Sequence, residues 1–408
     1  MNLIIANLSR FNKNIKEECQ AISNSLEIID NLIDFDGEIV STFNPEPLIK
    51  WMVKELTEAI EFNPVKLSIT ELLSIILINS EESKPLLAEL GCIDALLQQV
   101  AHYKRVAPVT GDEHEFLEQS IDCLCTGILN CEQNHKCFLD EEGIDLIVLV
   151  LREKHEAVKK SNLKLSTLKL LNHVLTTDEN QNAIVTKCCE HFVEALGLRV
   201  IFPIFDNPKL LLNSKIKRRE YQQVLTEVEE HSSAILLALL KHSQKSDCVQ
   251  RILIKLVEGD FKRFRRAFSL HEKYFRIMLK NEQEKSDNES NDDEAEENSK
   301  AERRRVDTVK SGALFTLRTI DYLIILACYL SQHFEIYDPI GGETFCNFIG
   351  NLLSSRPELR HQIVIETQRH IDEVSDSSEE RNSLELLIKH FEQLNKVNSK
   401  AAAHKQQD

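Results

Sequence analysis

Apolar and polar residues follow a helical period along most of this chain, and one arrangement recurs. In AELGCIDALLQQVAHYKR (88–105), Ile93, Leu96, Leu97 and Val100 stand at i, i+3, i+4 and i+7, the spacing of one buried stripe on an α-helix. The same template fits Ile49, Met52, Val53 and Leu56 in NPEPLIKWMVKEL, Ile144, Ile147, Val148 and Leu151 in EGIDLIVLVLREK, and Leu198, Ile201, Phe202 and Phe205 in LGLRVIFPIF. The four copies start 44, 51 and 54 residues apart.

A shift of 51 residues extends the match beyond one helix. It carries Leu72, Leu73, Leu77, Ile78 and Asn79 onto Cys123, Leu124, Ile128, Leu129 and Asn130, and Leu86 and Leu87 onto Cys137 and Phe138. Each unit reads as a long helix, a polar corner (NSEES, NCEQN), a short helix, a glycine and then the recurring helix. Periods of this length mark helical repeats of the armadillo or HEAT kind. The predicted fold is all-α: an armadillo/HEAT-like α-solenoid, a right-handed superhelix of repeats whose stacked neighbours share one core. Further helical patterns cover 220–242, 247–280, 306–334, 343–353, 357–373 and 379–396. The division predicted is repeats over 1–281, an acidic disordered insertion over 282–302, C-terminal helical repeats over 303–397 and a disordered tail over 398–408.

Composition sharpens this picture. Only 11 Gly and 9 Pro interrupt 408 residues, which favours long helices over many short strands. The net charge is -17, of which -8 falls within 282–302. The remaining mild acidity argues against direct nucleic-acid binding and leaves room for basic peptide partners. The 11 Cys lie within helical patterns, as expected of free thiols in a reducing compartment. No signal peptide opens the sequence, no apolar run of about 18 residues is evident, and no membrane contact is expected.

Candidate chemistry is sparse. Cys123, Cys125, Cys131, His135 and Cys137 could together suggest zinc, which needs four converging ligands. The repeat alignment instead places Cys123 and Cys137 at the apolar positions of Leu72 and Leu86. No phosphate-binding loop, dinucleotide fingerprint, zincin motif or nucleophile elbow occurs, so neither cofactor nor catalysis is expected. The basic clusters KIKRRE (215–220), KRFRR (262–266) and RRR (303–305) read better as solvated helix faces than as import or phosphate-contacting signals. The recurring helix gives a better surface. If it lines a groove, Lys50, Lys54, Asp94, Gln98, His102, Asp145, Arg152 and Arg199 face a partner, together with Leu149 and Asp206.

The strings LLAELGCIDALLQQVAHYKR, FLDEEGIDLIVLVLREK, FVEALGLRVIFPIF and ALFTLRTIDYLI resemble the beta-catenin-like protein family, in order, from about residue 28 to about 395. The resemblance implies an armadillo-type solenoid and a nuclear, non-catalytic scaffold associated with the spliceosome in pre-mRNA splicing. The partners it implies are the nineteen complex and its cell-division-cycle-five-like subunit, bound through basic segments; some family members also bind activation-induced cytidine deaminase. The family's longer form carries a further N-terminal region with basic import signals and extra repeats, and this sequence starts roughly where that region ends. The alternative is an importin-α-like transport adaptor, but such proteins use regular Trp/Asn ladders, and this chain has only Trp51.

Overall fold

The computed structural model describes residues 2–12, 15–37, 39, 44–58, 60–155, 158, 161–176, 182–212, 216–217, 220–288, 297–334, 336–337, 343–375 and 378–404; within these, the side chains of 281–311 and 395–404 are outside the description. The described residues form nineteen α-helices and two short 3-10 turns, with one isolated bridge, Tyr337 to Thr344. The chain is an all-α solenoid of armadillo type. It divides into two compact units, Met1–Val200 with Pro208–His231, and Ile201–Asn207 with Ser232–Asp408.

The first unit is built on the repeat. After α1 (Asn2–Leu8), a row of long helices packs in series: α2 (Lys16–Phe35), α4 (Pro64–Asn79), α7 (Gly111–Ile128) and α10 (Leu163–Leu175). The recurring helices α3 (Glu46–Glu58), α6 (Cys92–Tyr103) and α9 (Gly143–Arg152) stack beside them, with α5 (Leu86–Glu89), α8 (Glu132–Asp140) and α11 (Asn182–Glu194) closing the corners. The fourth copy of the template is α12 (Leu198–Asp206), and α13 (Tyr221–His242) follows it in the chain. Of the sixteen template residues, fifteen are buried and Val53 is half-buried.

Local chemistry sets the helix starts. Asn63 caps α4 by accepting from the Lys66 amide at 3.3 Å, with Pro64 in the first turn, where no amide partner is lost. Thr110 Oγ1 caps α7 from the Glu113 amide at 3.1 Å, and Glu113 Oε2 accepts from the Val109 amide at 2.6 Å. Between repeats, the buried Asn134 donates to the carbonyls of Lys84 (2.6 Å) and Gly127 (2.7 Å) and accepts from the Ala88 amide (3.1 Å).

The corners differ from the simple glycine break expected. Gly91 takes the left-handed conformation (φ 73°), but Glu142 (φ 58°) and Leu196 (φ 65°) take it in the next two copies. Gly143 and Gly197 serve another need: each lies against the ring of the phenylalanine five residues earlier, Phe138 or Phe192. In the first copy the equivalent pair is Leu87 and Cys92, where a smaller aliphatic residue leaves room for a side chain.

In the second unit, α15 (Lys262–Asn288) and α16 (Glu297–His333) pair as long helices; α14 (Ser246–Val257), α17 (Phe345–Ser355), α18 (Pro357–Glu373) and α19 (Glu379–His404) pack around them. Phe261 stacks on Phe348 at 4.0 Å, and Phe264 meets Phe345 edge-on at 4.7 Å. Helical backbone covers both ends of the stretch expected to be disordered, up to Asn288 and again from Glu297, and α19 runs through 398–404. Glu, Lys and Ala are strong helix formers, and each flanking helix propagates into its polar continuation. Residues 289–296 and 405–408 lie outside the described residues, as do Gly341 and Gly342. Gly312–His333 is also long and apolar enough to cross a membrane by composition, which the sequence reading missed; 72% of that window is buried here, with Leu317, Ile320, Ile324 and Ala327 in the core.

Candidate functional site

The recurring helices do not present a continuous row of free side chains. Lys50, Lys54, Gln98, Arg152 and Arg199 are exposed, while Asp94, His102, Asp145 and Asp206 are half-buried. Gln98 Nε2 donates to Asp94 Oδ2 at 2.7 Å, and Asp145 Oδ2 lies 2.7 Å from His191 Nε2 on α11. Leu149 is 49% exposed. Asp206 belongs to the second unit, where it pairs with Arg263 Nε at 3.0 Å.

The long helices carry a more continuous polar face. The 51-residue shift places Glu71 of α4 on Asp122 of α7. Asp30 of α2 lies close enough to Glu71 for its charge to bear on it. Lys169 Nζ of α10 meets Asp122 Oδ1 at 2.7 Å. Glu71 and Asp122 therefore occupy equivalent rungs on successive helices, with Asp30 of α2 beside the first and Lys169 of α10 beside the second. Lys169 answers Asp122. Among the described residues no cation pairs with Asp30 or Glu71. Burial raises the Asp30 carboxyl above its usual range, helped by Asp34 and Glu27. Burial likewise raises Glu71, helped by Glu115, Asp30 and Asp112. A carboxylate raised by burial and by acidic neighbours sits in a local negative potential, and a cation brought to it lowers its energy. At the far end, burial pushes His231 down to about 4, helped by His173 and Lys169, so it is neutral near pH 7.

The other candidates have different fates. Cys123 donates to the Thr70 carbonyl at 3.2 Å, and Cys125 and Cys131 are buried. No group of three His, Cys, Asp or Glu side chains among the described residues is placed to hold a metal ion. The KRFRR cluster is engaged within the second unit. Arg263 pairs with Asp206 and Glu258 and lies over Phe202; Arg265 lies over Phe348; Arg266 donates to the Phe205 carbonyl. Lys215, Arg218 and Arg219 of KIKRRE lie outside the described residues, as do the side chains of Arg303–Arg305. Asp30 and Glu71 carry no motif in the sequence; the one signal for them is the 51-residue shift, which aligns Glu71 with Asp122.

Comparison with known proteins agrees with the repeats. The family model described as "Catenin-beta-like, Arm-motif containing nuclear" matches residues 1–340. Human "Beta-catenin-like protein 1" is 34% identical over 332 residues, covering 80% of this chain and 55% of the human protein. The mouse protein of the same name is 35% identical over 276 residues, 68% of this chain and 46% of its own length. The Schizosaccharomyces pombe "Beta-catenin-like protein 1 homolog" is 30% identical over 284 residues, 68% of this chain and 45% of its own. The chain thus spans about half the length of these relatives. With the repeated helical unit and a family match across most of its length, the chain belongs to the catenin-beta-like family of armadillo-motif proteins.

Proposed function

We propose that this protein is a non-catalytic interaction scaffold in the nucleus that serves pre-mRNA splicing by holding basic segments of spliceosomal proteins, among them the nineteen complex and its cell-division-cycle-five-like subunit. The observation that carries the basic-segment part is the pair of unanswered rungs, Asp30 and Glu71, on adjacent helices of one face. Lysine or arginine side chains laid across that face supply the charge that Lys169 supplies to Asp122. Family membership supports the splicing part, and the family description names nuclear proteins. The importin-α-like alternative loses support because Trp51 is only 8% exposed and so unavailable as a groove residue. Affinity purification from nuclear extract, with the full chain as bait, tests the reading. Recovery of splicing factors, lost with Asp30→Asn plus Glu71→Gln, is expected. Recovery of only cytoskeletal or trafficking proteins overturns it.

A further inference from the structure

The acidic rungs run beside a second feature that charge does not explain. Seven residues beyond Glu71, at the end of α4, Ile78 is 67% exposed. The 51-residue shift carries it to Leu129, 39% exposed, just past the end of α7. The last residue of α2, Phe35, is 90% exposed. These ends are neighbours. Gly37 touches Asn79, a Cβ on Gly127 would lie 3.9 Å from Leu77, and Lys84 Nζ donates to the Leu129 carbonyl at 3.0 Å. Single exposed apolar residues are ordinary; three on successive helix ends, five to seven residues beyond the acidic rungs, form a lip of the kind that marks an interaction site.

We infer that the lip and the rungs together select an extended partner segment in which basic and apolar residues repeat every third position. The inference rests on the reading that a basic segment lies on the long-helix face, and it adds what that segment must carry besides charge. Rung and lip are about 7–10 Å apart along their helices at 1.5 Å per helical residue. A segment laid between them can send basic side chains to one side and apolar ones to the other. Packed helices lie about 8–10 Å apart. A polyproline II strand returns to the same side-chain direction every three residues, after about 9 Å. Basic residues at i and i+3 therefore meet the rungs of consecutive helices, while apolar residues at i+1 and i+4 meet Phe35, Ile78 or Leu129. The acidity of the rungs fixes the sign of the occupant's charge.

Fluorescence anisotropy on the full chain tests this with two labelled peptides of equal charge, Lys-Leu-Ser and Lys-Ser-Ser, each repeated three times. The leucine peptide should bind about tenfold more tightly, the gain expected when roughly one large aliphatic side chain is buried. The ratio of the two Kd values should fall to about one in Ile78→Ser plus Leu129→Ser, with Ile78→Ser alone as the milder variant; circular dichroism checks that each is folded. Equal affinities on the unaltered chain overturn the lip and leave the basic-segment reading standing. Binding of neither peptide overturns both. A ratio that survives both variants overturns the lip's location. A concentration-dependent dimer lost in the double variant assigns the lip to a second copy, and also overturns the inference.

Discussion

Gly143→Ala followed by Phe138→Leu tests how the repeat corners are built. A Cβ at 143 would lie 2.5 Å from two carbons of the Phe138 ring, which is fully buried. Carbon atoms pack at about 3.5–4.0 Å, so the ring must give by about 1 Å with no free space to enter. Overpacking of this kind costs up to about 3 kcal/mol. Alanine recovers about 1 kcal/mol of that through its better helix propensity. The net loss should be about 2 kcal/mol, a fall of roughly 4–8 °C in the melting midpoint of a unit of this size. Phe138→Leu alone should cost about 1 kcal/mol. In combination it copies the Leu87 and Cys92 pair of the first copy, so the double variant should be more stable than the sum of the singles predicts by about 1–2 kcal/mol. Trp51, the single tryptophan, is buried in the first unit, so its fluorescence during urea unfolding follows that unit. A neutral Gly143→Ala, or a double variant that is simply additive, would refute the account.

The remaining predictions concern charge and burial. Glu71→Gln removes a carboxylate raised by burial and by its acidic neighbours, so the first unit should melt slightly higher near pH 7 while affinity for basic peptides falls severalfold. Because the folded carboxyl of Glu71 is raised, the unaltered protein gains stability as pH falls through that range and the variant lacks this gain; a lower midpoint with unchanged affinity contradicts the reading. Asn134→Ala removes the side-chain partners of the Gly127 carbonyl and the Ala88 amide at a corner and should cost about 2–4 kcal/mol by the same tryptophan assay. In the second unit, buried His271 Nδ1 lies 2.5 Å from buried Asp321 Oδ1. Burial opposes the imidazolium, but Asp321 outweighs it and raises His271 above its usual range. The folded state therefore holds that proton more tightly, and stability from the pair is present below the ordinary histidine range and lost as pH rises through the folded value. Asp321→Asn should flatten the rise in melting midpoint between pH 8 and pH 6; an unchanged slope rules out this role for the pair.

The repeat was legible because burial depends on a pattern each helix carries within itself. A stripe at i, i+3, i+4 and i+7 has one buried face wherever it is stacked, and Ile93, Ile144 and Leu198 are all buried as that pattern requires. The corners were less legible because two requirements compete there. The left-handed residue is Gly91 in one copy, yet Glu142 and Leu196 fill that role in the others, which frees Gly143 and Gly197 to admit the rings. The size of the residue five positions earlier decides where the glycine goes, and that size matters only once the corner is folded.

Charge was the least legible, for a related reason. Asp30, Glu71 and Asp122 are similar carboxylates on successive long helices, and what separates them is the next helix along. Lys169 reaches Asp122 across 47 residues of sequence, an offset fixed by the intervening corners. Glu71 meets Asp30 and Glu115 instead. The same geometry explains KRFRR: four basic residues within five positions suggest a free patch, until Phe202, Phe205 and Phe348 are found beneath three of them. The face proposed for a basic partner is therefore defined by cations absent among the described residues at Asp30 and Glu71, where carboxylate lies near carboxylate. Supplying that cation within the chain, by Ser74→Lys one helical turn from Glu71, should lower the raised Glu71 carboxyl, stabilise the first unit, and weaken binding of basic peptides. Tighter binding in that variant would show that these rungs do not hold the partner.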